Sequence, residues 1–163
     1  MKRIVLAAAA ILALAPAAAF AQQTPAGGEE AAVAAAVRRL FDGMRAADSA
    51  VVRSAFHPEA TLRTVAVRQG QTVTRTDQLQ GFVTAVGTPH DQVWDERISD
   101  LQIRIDGPLA TAWMNYTFYA GTTKSHCGVN SFELVKMADG WKVTHIADTR
   151  RREGCPDLPP TSR

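Results

Sequence analysis

SHCGVNSFELVKMADGWKVTHIADT, residues 125–149, is the stretch that decides the fold. It reads as two β-strands joined by a tight turn. Val129, Phe132, Leu134 and Val135 supply strand formers before the turn, and Trp141, Val143 and Ile146 supply them after it. Between the two, Asp139-Gly140 is a strong hairpin signal, because glycine takes the positive φ that such turns demand. Side chains alternate faces along a strand. His126, Gly128, Asn130, Phe132 and Leu134 therefore share one side, and Ser125, Cys127, Ser131, Glu133 and Val135 the other. On the return strand the same alternation groups Trp141, Val143, His145 and Ala147, opposite Lys142, Thr144 and Asp148. One face is thus mostly apolar but carries His126, Asn130 and His145, which suits a pocket wall. Gly128 between His126 and Asn130 leaves space, which is how a strand makes room for a ligand or a close backbone.

Upstream of the hairpin the chain also reads as strand, over residues 94–105 up to the turn Asp106-Gly107-Pro108 and over residues 109–120 up to Gly121. Within the first of these the apolar parity switches from Ile98 to Leu101, Ile103 and Ile105, which predicts a β-bulge near Asp100. On residues 109–120 the parity is open: Ala112, Met114, Tyr116 and Phe118 form one face, Trp113, Asn115, Thr117 and Tyr119 the other. Earlier still, Val33, Val37, Leu40, Phe41 and Met44 recur at the spacing of one helical stripe and predict a helix over residues 29–47. Asp48 or Ser49 caps a short second helix that ends at Phe56-His57-Pro58. A strand pair follows around Gln69-Gly70. Thr76 then caps a third helix with Leu79, Phe82, Val83 and Val86 on its buried stripe. Helices first and long strands after argue an α+β domain, with N-terminal helices packed on the concave face of a curved antiparallel sheet.

The chain opens with Lys2 and Arg3, an apolar run over residues 4–14, Pro16 and Ala19-Phe20-Ala21, the pattern of a secretory signal peptide over residues 1–21. The apolar run is too short for a comfortable membrane span. Cleavage after Ala21 leaves 142 of the 163 residues, one ordinary domain. The expected organisation is a loose lead-in at 22–28, a single domain at 29–155 and an irregular tail at 156–163. Loss of Lys2 and Arg3 takes the 18 basic residues to 16, equal to the 16 acidic ones, so the mature chain is formally neutral. That balance gives no reason to expect nucleic acid or an anionic membrane as partner. Arg150-Arg151-Arg152 is the one basic run and reads as a solvated tail. The expected location is the periplasm or the exterior, where Cys127 and Cys155 most simply form a disulfide. A Cys-His nucleophile from His126-Cys127 fails on geometry, because strand neighbours point to opposite faces.

With these elements in place the sequence resembles the nuclear-transport-factor-2-like superfamily, whose cone-shaped, cystatin-like α+β fold is shared with ketosteroid isomerases and SnoaL-like proteins. Within it the resemblance runs to small bacterial proteins of the lumazine-binding family. The residues that carry it are Phe56-His57-Pro58-Glu59-Ala60, Trp94-Asp95-Glu96-Arg97-Ile98, Ile105-Asp106-Gly107, Ala112-Trp113 with Tyr116 and Phe118-Tyr119, Ser125-His126-Cys127-Gly128, Gly140-Trp141-Lys142-Val143 and Ala147-Asp148-Thr149-Arg150. The resemblance covers the chain from about Glu29 to Cys155. It implies the fold and, since members commonly pair through the sheet, a homodimer. It does not select an activity, because fold does not fix function.

The pocket residues expected are Trp113, Asn115, Tyr116, His126, Gly128, Asn130 and His145. His126 and His145 are the candidate general bases, as ordinary imidazole titrates near neutrality. Asp95, Glu96 and Asp148 are the acids nearest the mouth or floor, and a salt-bridged rim is the bland reading of the first two. Trp94, Trp113 and Trp141 are candidates for an aromatic cage, with core packing as the bland reading. Two histidines make a thin metal site, and no nucleotide, phosphate-loop, HExxH or G-x-S-x-G motif occurs. No metal or cofactor is therefore expected. Three functions follow: an exported module that binds an unidentified small molecule, an acid–base enzyme of the isomerase, dehydratase or hydrolase kind, or a structural dimerisation domain.

Overall fold

The computed structural model of the chain describes residues 26–160; the expected leader lies outside them. The chain runs α1 (Ala26–Arg45), α2 (Ser49–Ala55), β1 (Phe56–Arg68), β2 (Gln71–Gln78), α3 (Leu79–Gly87), β3 (Trp94–Asp106), β4 (Leu109–Ala120), β5 (Thr123–Met137) and β6 (Gly140–Arg150). The six strands form one curved, unclosed sheet in the order β2-β1-β6-β5-β4-β3. Four of its five pairings are antiparallel, and β1 lies parallel to β6. That pairing brings the early strand pair alongside the late hairpin. The three helices pack on the concave face and close a cone.

Local chemistry sets the boundaries. Asp48 caps α2, its Oδ1 accepting from Ala50 N at 3.0 Å and Val51 N at 2.9 Å. Helix α1 begins at Ala26, so residues 26–28 of the expected loose lead-in are helical. Thr76 does not cap α3; it lies in β2 paired with Arg63, and α3 starts after Gln78 with no side-chain cap. The bulge expected in β3 is present: pairing to β4 skips between Ser99 and Gln102, and Asp100 adopts φ +54°. Asn115 Nδ2 donates to Asp100 Oδ2 at 2.7 Å across the bulge.

A further bulge lies in β6. Pairing of β5 with β6 slips between Glu133 and Leu134: Leu134 faces Val143, while Glu133 faces His145. Thr144 is the extra residue, and its Oγ1 donates to Glu133 O at 3.1 Å. Parity inverts there. Ile146 and Asp148 turn to the concave side with Phe132 and Asn130, and His145 and Ala147 turn to the outer one.

The core lies between α1 to α3 and the concave face, with Val33, Val37, Leu40, Val52, Val86, Met114, Phe132, Leu134 and Val143 almost wholly buried. Trp141 belongs to it, and its Nε1 donates to Glu29 Oε2. A disulfide joins Cys127 to Cys155, whose Cα atoms are 5.4 Å apart. Beyond it residues 156–160 carry no regular structure, yet they are held on the outer face of the sheet. Thr117 Oγ1 donates to Pro156 O, Arg97 to Leu158 O, and Leu158 N to the Tyr119 hydroxyl. This strap explains why Thr117 and Tyr119 are buried although they point away from the helices.

Candidate functional site

Between the helices and the concave face lies a cavity of about 480 Å³. Its walls are apolar, supplied by Leu40, Phe41 and Met44 of α1, Phe82 of α3, and Phe118, Phe132 and Ile146 of the sheet. Polar side chains enter mainly from the sheet, where β3 to β6 bring Glu96, Tyr116, His126, Asn130 and Asp148 to one region.

Those groups form a connected network. Asp148 is almost fully buried and accepts from Thr64 Oγ1 at 2.7 Å, from the Tyr116 hydroxyl at 3.2 Å and from Arg150 Nε at 3.3 Å. The Tyr116 hydroxyl also lies 2.9 Å from Thr149 O, so its one proton is shared between two acceptors. Asn130 Nδ2 donates to Glu96 Oε1 at 2.7 Å. The His126 ring stacks on Phe118 with centroids 4.9 Å apart, and its Nδ1 sits 3.1 Å from Ser125 Oγ.

Burial decides the charges. It pushes the Glu96 carboxyl up to about 7, assisted by the nearby Asp148 carboxylate and opposed by the Asn130 hydrogen bond and by Arg150. Glu96 keeps some exposure because it faces the cavity, but protein surrounds it closely enough to disfavour the anion. Burial and then Arg150 push His126 down to about 4, with Asp148 opposing and Arg152 adding to the effect. The imidazole is therefore neutral at physiological pH. Burial also raises the Tyr116 hydroxyl, reinforced by the charges of Asp148 and Glu96. At neutral pH the site holds a neutral imidazole, a phenol that keeps its proton and a carboxyl close to half-protonated.

Of the residues expected from the sequence, Tyr116, His126 and Asn130 line the cavity. Trp113 and Asn115 do not. They point to the outer face, where Trp113 is 52% exposed. His145 is turned outward by the Thr144 bulge and hydrogen-bonds Thr61 Oγ1 through Nδ1 at 2.7 Å. Gly128 makes room for a backbone, not for a ligand: a Cβ there would stand 1.8 Å from Thr149 O. This is the carbonyl that Tyr116 approaches, so Gly128 positions the network without lining the cavity. The aromatic cage is not assembled, since among the three tryptophans only Trp94 lines the cavity. Asp95 fits the salt-bridged rim, with Arg97 Nε at 2.7 Å and Arg45 Nε at 2.9 Å. From the sequence Glu96 and Asp148 stand out only as two acids among several, and in the fold both carboxyls line the cavity. The signal for Asp148 was the three-residue step from Val143 to Ile146, which marks the bulge that turns it inward.

The fold and the cavity define a nuclear-transport-factor-2-like protein, and solved structures agree. A nuclear-transport-factor-2-like protein of unknown function from Shewanella baltica aligns with a TM-score of 0.60 at 20% identity, over 79% of this chain and 98% of that one. One with a cystatin-like fold from Novosphingobium aromaticivorans gives 0.61 at 9% identity, over 78% and 84%. Another, from Cytophaga hutchinsonii, gives 0.60 at 14% identity, over 76% and 98%. At these identities the likeness is one of fold. Residues 28–145 match the family model described as "Putative lumazine-binding", and the chain belongs to that family. No curated protein matches it.

Proposed function

We propose that this protein is an exported binding domain that holds a compact, largely apolar small molecule in its cone. The observation that carries this reading is the cavity itself, about 480 Å³ with apolar walls and a polar network on one side, the usual make-up of a small-molecule site. Tyr116 and Asp148 are occupied with each other and with protein partners, so they shape the floor. Glu96, Asn130 and His126 are the polar groups that meet the ligand. The family's description, which refers to binding, supports the same reading. The signal-like leader and the disulfide support export, and among the described residues no helix is long and apolar enough to cross a membrane. Pairing into a homodimer is supported by Leu109 and Trp113, large apolar side chains half-exposed on the outer sheet face beyond the strap.

A second reading, an acid–base enzyme, rests on Glu96. A carboxyl poised near 7 beside an apolar cavity is a group prepared for proton transfer. His145 is outside the cavity and His126 is too weak a base at neutral pH, so the acid–base residue in this reading is Glu96. Mass spectrometry of small molecules released from natively purified protein tests the first reading. A stoichiometric compound supports it, and its turnover by the protein, lost in Glu96→Gln, selects the second.

A further inference from the structure

The arginine run at the end of β6 also lines a second feature, a groove that shares Arg150 with the cone. Strands β1 and β6 stay paired only as far as Ala66 and Arg150. The next residue, Arg151, stays with β5 in the register set by Asn130 and Asp148, exchanging two backbone hydrogen bonds of 2.9 Å with Cys127. The disulfide holds Cys155 back on the same residue. Strand β1 meanwhile continues to Arg68, paired with β2 alone. The two strands diverge, and an open groove of about 890 Å³ lies between them.

Four arginines line this groove, Arg68, Arg150, Arg151 and Arg152, against a single acid, Glu153. Arg150 has a partner in Asp148. Among the described residues no carboxylate lies within ion-pair distance of Arg68, Arg151 or Arg152. The chain as a whole carries a formal net charge of only +2, so this concentration of positive charge is local and does not reflect composition. Gathering like charges in one concavity costs free energy in the absence of a counter-charge. The fold gains no ion pair from these three side chains in return. The groove floor includes Val67, 69% exposed, the most exposed large apolar side chain described.

We propose that this groove is a binding site for a small organic polyanion, one carrying two or more carboxylate or phosphate groups. Guanidinium forks pair with the planar or tetrahedral oxyanions of either class through two parallel hydrogen bonds. Arginines on opposite walls, Arg68 on one and Arg151 and Arg152 on the other, suit a ligand with separated anionic groups. Val67 and Val65 offer apolar surface to the carbon skeleton between them. Arg68, Arg151 and Arg152 line the groove and not the cone.

The test is titration of the mature, oxidised protein with pyrophosphate and with citrate at low ionic strength, followed by calorimetry and by the amide resonances of Val67, Thr72 and Thr149. Saturable binding of either anion, with shifts confined to the groove, is expected. Pyrophosphate binding more tightly assigns the phosphate class, and citrate binding more tightly the polycarboxylate class. The double variant Arg151→Gln/Arg152→Gln should weaken binding about tenfold, as should added salt. Should that variant fail to fold, Arg68→Gln on the opposite wall carries the test with a loss of about fivefold. Three results overturn the proposal: no saturation with either anion, equal shifts with acetate at matched ionic strength, or unchanged affinity in a folded variant.

Discussion

His126 and His145 stand on the two arms of one hairpin, and only His126 reaches the cone. The difference comes from Thr144. Without the bulge, alternation would carry the side of Trp141 and Val143 on to His145; with it, Ile146 and Asp148 take that side. The same device acts in β3, where Asp100 shifts the apolar parity from Ile98 to Leu101. In both strands the trace in the sequence is a three-residue apolar step, Ile98 to Leu101 and Val143 to Ile146. Strict alternation is therefore a property of strand segments between bulges, and a pocket wall read across one exchanges its faces. Here the exchange replaces a histidine by a buried carboxylate, which changes the chemistry of the site.

The close approach of β6 to β5 at Gly128, beyond this bulge, gives the largest expected effect. Gly128→Leu places a side chain into the Thr149 carbonyl and should cost more than about 4 kcal/mol, leaving no folded protein by circular dichroism. A folded variant of unchanged melting temperature would mean that the two backbones approach less closely at Gly128 than described. The disulfide, on Cys127 beside Gly128, pins the same stretch of β5. Closing a loop of 28 residues contributes roughly 3–4 kcal/mol in the chain-entropy model. Cys155→Ala should lose about that much in urea unfolding and keep its fold, because the strap covers only the outer face. A loss below about 1 kcal/mol would show that the strap's hydrogen bonds hold the tail without the disulfide.

Glu96 sharpens the comparison on the inner face. Its carboxyl is raised from an ordinary 4.5 to about 7, so the folded protein holds this proton more tightly than the unfolded chain. Stability from this group is complete below about pH 4.5 and is lost as pH rises through about 7, by at most about 3 kcal/mol. Glu96→Gln removes that dependence. Melting curves should show the variant gaining on wild type from pH 5 to pH 8. A constant difference across that range would place Glu96 in a more polar setting than the cavity provides. The smallest effect expected is also the one most specific to the comparison. Deleting Thr144 removes the extra residue and leaves Val143 inward, His145 outward and Ile146 inward, so the fold should survive with a loss of about 1 kcal/mol. Were β6 regular, the deletion would turn Ile146 and Asp148 out of the cone and destroy it.

The α+β architecture was legible because helix stripes, hairpin turns and strand order are repeated signals, each of several residues. Asp48 at the start of α2 and Asp139-Gly140 in the hairpin are local chemistry and needed no tertiary context. The site was legible only in part. His126 and Asn130 lie on a segment whose alternation is unbroken, and they line the cavity; Tyr116, which also lines it, shares the open parity of its strand. His145 and Asp148 lie beyond a bulge, and their faces exchanged. Trp113 and Asn115 depended on the parity of β4, which is open in the sequence because both faces carry large side chains. The reason appears only in the folded chain: residues 156–160 bury Thr117 and Tyr119 from outside, so one strand carries apolar residues on both faces. Gly128 left two readings open, and the choice between ligand and backbone rests on a contact 21 residues away in sequence.

The central claim is that the cone holds a small molecule. Ala85 of α3 lines the cavity and is half-buried, so Ala85→Trp fills the cone from the helix side without entering the polar network. Native mass spectrometry of wild type and Ala85→Trp, purified in parallel from the same host, measures this directly. A compound of defined mass is expected, bound one to a chain in wild type and absent from the folded variant. Equal amounts of that compound on both proteins, or none on wild type, would contradict it.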